Sequence, residues 1–141
     1  MRRRSPILPT RELALGDLLA AQASERYSDE VSKRLKPLWS VPLGRLAAAE
    51  LLFLVGQGIA SSLVLPLALE RLAIDPLLAA DGERGDLLLA VLSFGLEQVK
   101  ARQPLRERSW NVLLRAERTL KEHPEWGFPR EILEQARREL G

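Results

Sequence analysis

Between Glu50 and Glu70 lie nineteen consecutive residues without a charge, and what this stretch does decides what the chain can fold into. A helix needs about 20 apolar residues to cross a bilayer, so length alone permits a span. The interior chemistry opposes it. Gly56, Gln57 and Gly58 sit near the centre, followed by Ser61, Ser62 and Pro66, which puts helix breakers and an amide where hydrocarbon would be deepest. Two core helices joined by a turn satisfy the same residues. The first runs from about Leu43 to Val55 and closes on a left-handed Gly56 or Gly58; the second runs from Leu63 to Ala73, with Pro66 in its first turn.

The remainder reads as short helices separated by stop signals, and no strand pattern competes. Thr10 can cap a helix at residues 11–23 and Ser28 one at residues 29–38, whose Asp29 and Glu30 suit the positive end of the helix dipole. Asp75-Pro76 closes the Leu63–Ala73 helix, a polar loop follows, and Asp86 opens an all-round apolar segment expected to be a central, buried helix. Pro104 starts a helix with Trp110, Leu113 and Leu114 on one stripe; Pro124 and Gly127 end it, and Pro129 opens the last, with Ile132, Leu133, Ala136 and Leu140. The expected fold class is all-α, a single compact bundle-like domain of about seven short helices over residues 10–141, preceded by a flexible basic arm at residues 1–9.

Several kinds of chemistry are excluded by residue type. The chain has no cysteine, so disulfides, thiolate metal sites and cysteine nucleophiles drop out. His123 is the one histidine, and before Pro124 at a helix end it fits a terminus-favouring imidazole better than a catalytic base. No metalloprotease, nucleophile-elbow or phosphate-loop motif occurs, so no enzyme, cofactor or metal is expected.

Charge is uneven along the chain: residues 1–45 carry +4, residues 46–99 carry −5 and residues 100–141 carry +3. Asp75, Asp81, Glu83 and Asp86 concentrate the negative charge, opposed locally by Arg84 alone. They read either as a solvated loop whose acids cap helix ends or as a surface for a basic partner.

A set of short motifs then carries a resemblance. Arg34-Leu35-Lys36-Pro37-Leu38, Val55-Gly56-Gln57, Pro66-Leu67-Ala68-Leu69-Glu70, Asp75-Pro76-Leu77 and Gly85-Asp86-Leu87-Leu88, in this order and spacing, resemble the all-helical immunity proteins of contact-dependent growth inhibition (CDI) systems. The resemblance covers about residues 34–92. It implies a cytoplasmic, non-enzymatic protein that binds and neutralises a cognate toxin domain, a nuclease among the candidates, by tight non-covalent complex formation. On that reading Asp75, Asp81, Glu83 and Asp86 are the toxin-binding residues, and Gly56, Gln57, Pro66, Glu70 and Asp86 form the structural motif. No nucleic acid or membrane partner is expected.

Two alternatives compete. A helical DNA-binding regulator would use the basic residues Arg115, Arg118 and Lys121, near one another along one helix. A small membrane-associated protein follows if residues 51–69 insert.

Overall fold

The computed structural model describes residues 12–19 and 28–141, which form eight α-helices and three short 3-10 turns. The expected arm at residues 1–9, the Thr10 cap and the outer parts of the helix placed at residues 11–23 lie outside the described residues. No strand occurs among the described residues, only an isolated bridge between Ala14 and Pro42. The chain divides after Ala47 into two compact units.

In the first unit, α1 (Leu15–Leu19) and α2 (Asp29–Leu35) are short helices shaped by local polar chemistry. Ser28 caps α2, its Oγ accepting from the Val31 amide at 3.3 Å. The Asp17 carboxylate accepts from the Ala14 amide at 2.9 Å, which satisfies a donor at the entrance of α1. Gly16 donates its amide to the Trp39 carbonyl at 2.8 Å, and a Cβ there would stand 2.5 Å from the Trp39 indole. The absence of a side chain is what lets these segments meet.

The second unit begins with the uncharged stretch, which folds as two helices. These are α3 (Ala48–Gln57) and α4 (Ser61–Ile74). Gly58, not Gly56, supplies the left-handed residue at φ 68°. The Gly58 amide donates to Val55 and the Ile59 amide to Leu54, at 3.1 and 3.0 Å, so that two orphaned carbonyls at the end of α3 are satisfied. Ile59 and Leu54 are both fully buried, the apolar pairing that accompanies this cap. No helix among the described residues is long and apolar enough to cross a membrane.

Two expectations need correction here. Leu43–Arg45 forms a separate 3-10 turn rather than the start of α3. Pro66 lies inside α4 instead of in its first turn. A proline there leaves the carbonyl four residues earlier without its intrahelical donor. That carbonyl belongs to Ser62, and the Arg102 guanidinium donates to it at 3.5 Å, a long bond from forty residues away.

Ala60, the residue before α4, holds φ 51° and ψ 45° with no side-chain cap bond. Left-handed backbone costs an L-residue about 1–2 kcal/mol, and glycine is free of that penalty. Ala60→Gly is therefore expected to raise stability by about 1 kcal/mol, measured as an upward shift of the thermal midpoint.

The rest of the unit comprises α5 (Asp86–Phe94), α6 (Leu96–Lys100), α7 (Gln103–Glu122) and α8 (Arg130–Leu140). As its composition implied, α5 is central: Leu87, Leu88, Ala90, Val91 and Leu92 are all buried, and it packs on α3, α4, α6 and α8. The short α6 was not foreseen. It follows a break at Gly95, whose backbone lies so near Leu65 that a Cβ would come within 2.7 Å of its Cδ2. Lys100 on α6 pairs with Glu139 on α8 at 2.7 Å, and this bond raises the lysine and lowers the carboxyl from their ordinary pKa values.

Candidate functional site

Within the larger unit, the loop between α4 and α5 contains or adjoins all four acidic residues singled out from the sequence. The structure separates them into two kinds. Asp86 turns its carboxylate back onto the loop: Oδ1 accepts from the Ala80 amide at 2.7 Å, and Oδ2 from Asp81 at 2.8 Å and Glu83 at 3.4 Å. Asp75 accepts from the Leu77 amide at 3.3 Å and pairs with Arg84 at 3.5 Å. Asp81 and Glu83 are exposed, and their side chains have no partner among the described residues. Two carboxylates are therefore tied into the loop, that of Asp75 while still about half exposed, and two face solvent without a partner among the described residues.

The loop can take this shape because Gly85, at φ 81°, turns the chain into α5. Its amide donates to the Leu77 carbonyl at 3.1 Å, closing the loop on itself. Phe128 packs where a Gly85 side chain would stand. The same phenylalanine lines a 640 Å³ groove between α7 and α8, together with Leu120, Lys121 and Leu133.

Arg84 joins this loop to the segment after α7. Its guanidinium lies 4.4 Å from the Trp126 ring centroid while an Nη donates to the Leu77 carbonyl at 3.4 Å. Trp126 in turn stacks on His123, with centroids 4.1 Å apart and planes within 6°. The Glu125 carboxyl sits beside the His123 ring at 3.3 Å. Its own backbone amide, and next the His123 ring, hold that carboxyl below its ordinary pKa. Sequence reasoning missed this cluster. Its available signal was Arg84, a lone base among acids, but the tryptophan it stacks on lies forty-two positions away.

The residues assigned to a structural motif are scattered over the same unit. Gly56 lies in the last turn of α3 with open space where a Cβ would be, and Gln57 is the exposed last residue of that helix. Pro66 sits within α4 and Glu70 is exposed on it, while Asp86 is the loop brace described above.

The basic residues of α7, among them the three a DNA-binding reading requires, are divided as well. Arg115 donates to the Ala73 carbonyl at the end of α4, and Arg106 donates to the Glu139 and Leu140 carbonyls at the end of α8, both at 3.2 Å. These guanidiniums satisfy the carbonyl ends of neighbouring helices, where positive charge is favoured. Of the three residues named for that reading, Arg118 and Lys121 are left exposed without such a bond.

Among the described residues, no group of three or more histidine, aspartate or glutamate side chains could hold a metal ion. The class defined by these features is a small all-helical protein with a braced polar loop in its larger unit. A family model described as CDI immunity proteins matches residues 17–108, more than half of the chain, and the chain belongs to that family. The match takes in α3 to α6, the whole acidic loop and the start of α7. No curated protein and no solved structure matches the chain. Membership in an immunity family implies a cognate toxin as binding partner.

Proposed function

We propose that this protein acts in the cytoplasm by binding the C-terminal toxin domain of a CDI effector and blocking it through a tight, non-covalent complex, with no chemistry of its own. The observation that carries the reading is the family match across the loop-bearing unit. Its electrostatics favour a basic toxin, because residues 46–99 carry −5 and Asp81 and Glu83 stand free in solvent. A nuclease fits that description, since nucleic-acid enzymes concentrate positive charge to engage phosphates.

The direct test is titration calorimetry of the purified chain against the C-terminal domain encoded by the gene immediately upstream. One-to-one binding with a Kd on the order of 1 nM is expected. Absence of both heat and co-elution, with that domain shown to be folded and toxic, would overturn the reading. Reversing Asp81 and Glu83 together to lysine is expected to slow association about tenfold at low salt, and less at high salt, because exposed charges act mainly on encounter. Asp75 and Asp86 are left intact in that variant, since their carboxylates hold the loop.

A further inference from the structure

Two large apolar side chains are strongly exposed among the described residues, Ile74 at 81% and Phe94 at 61%. Single exposed apolar residues are common, so exposure by itself selects neither. Their surroundings differ. Phe94 ends α5 near Glu97, which already pairs with Lys100 at 3.6 Å. Ile74 ends α4 at a junction of three chain segments.

That junction is centred on Arg84. Asp75, directly after Ile74, holds the guanidinium at 3.5 Å, and the same guanidinium lies 4.4 Å from the Trp126 ring centroid. The chain neighbours of these tied residues are Ile74, Glu83 and Glu125, one from each segment, and all three are exposed. Arg115 secures the Ile74 side by its bond to the Ala73 carbonyl, and the His123 stack secures the Trp126 side.

We infer that Ile74 is the apolar anchor of the partner-binding surface, with Glu83 and Glu125 as its acidic rim and the Arg84–Trp126 stack as its support. The inference rests on the proposed immunity function and adds which part of the molecule meets the toxin. Its occupant is a basic protein surface with an apolar pocket. Two features favour that occupant. An anchor with carboxylates around it complements a pocket with lysines or arginines around it. A surface already held by an ion pair and two ring contacts loses little freedom on binding, so burial of the isoleucine converts efficiently into affinity. Nucleic acid is disfavoured at this spot by the same carboxylates.

The experiment compares three full-length variants with the unmodified chain, against the upstream-encoded toxin domain, by biolayer kinetics, with circular dichroism as a check on folding. Ile74→Asp is expected to weaken binding about 100-fold, chiefly through faster dissociation, as truncating or charging a central anchor does. Glu83→Lys combined with Glu125→Lys is expected to slow association about tenfold at low salt. Phe94→Asp is expected to bind as the unmodified chain does. Tight binding by Ile74→Asp, or a loss confined to Phe94→Asp, overturns the assigned surface while leaving the immunity function standing. Failure of the unmodified chain to bind the folded, toxic domain overturns both.

Discussion

Gly85→Ala is expected to destabilise the larger unit by about 3 kcal/mol, from two separate causes. The backbone at φ 81° penalises any L-side chain, by about 1–2 kcal/mol. The added Cβ would also stand 2.9 Å from Phe128 Cδ2 and 3.3 Å from Leu77 Cδ2, so packed neighbours would have to move. Overpacking of this kind costs about 1–3 kcal/mol. Gly58→Ala separates the two terms, since Gly58 has a similar φ of 68° but nothing within 4 Å of the added atom. It should lose about 1–2 kcal/mol, the backbone share alone. Urea unfolding with an unchanged m-value is the appropriate measurement. Equal losses for the two variants would show that Phe128 yields freely and that its packing against the loop contributes little.

Asp86→Ala is the second large effect. Removing the carboxylate leaves the amides of Ala80, Asp81 and Glu83 without their acceptor. Hydrogen bonds to a charged group contribute about 1.5–3 kcal/mol each, but Asp81 and Glu83 can turn their amides to water, so a total near 3 kcal/mol is expected. Asp86→Asn should lose roughly half as much, because one side-chain oxygen remains as acceptor. Hydrogen exchange reads the brace directly. The Ala80 and Asp81 amides should lose protection in Asp86→Ala, and retained protection would show that the loop is held by other contacts. Such a result would also return Asp86 to the pool of residues available to a partner.

These two residues show how reading a sequence and seeing a fold diverge. Gly85-Asp86 belongs to one of the sequence motifs, and on the resemblance Asp86 falls both among the toxin-binding residues and in the structural motif. Nothing in the sequence shows which way a carboxylate turns. In three dimensions it accepts from amides three to six residues earlier, a contact that exists only once the loop has closed. Asp75 behaves alike: its role as a helix stop was legible from the following proline, whereas its pairing with Arg84 depends on the loop's return.

Local chemistry is legible wherever the controlling interaction lies within one turn. The Ser28 cap, the left-handed glycine after α3, the stop at Asp75-Pro76 and the buried, centrally packed α5 all follow from steric and hydrogen-bonding preferences of a few neighbouring residues. Pro66 marks where that reasoning fails. Its locally unfavourable place inside α4 coexists with burial of Val64, Leu65, Ala68 and Leu69, and with an arginine forty positions away that reaches the carbonyl it orphans. Packing energy outweighs a local penalty of about 3 kcal/mol in such a helix.

By itself, then, the sequence determined an all-helical chain of a CDI immunity family with a negative central segment, because helix periodicity, cap residues and charge are properties of neighbours along the chain. Tertiary structure decided which of the acids are tied into the loop, which arginines serve as caps on other helices, and that Asp75, Arg84 and Trp126 meet in one stacked cluster. Those arrangements join residues from three to forty-two positions apart, and only the closing of the loop and of the bundle brings them within contact distance.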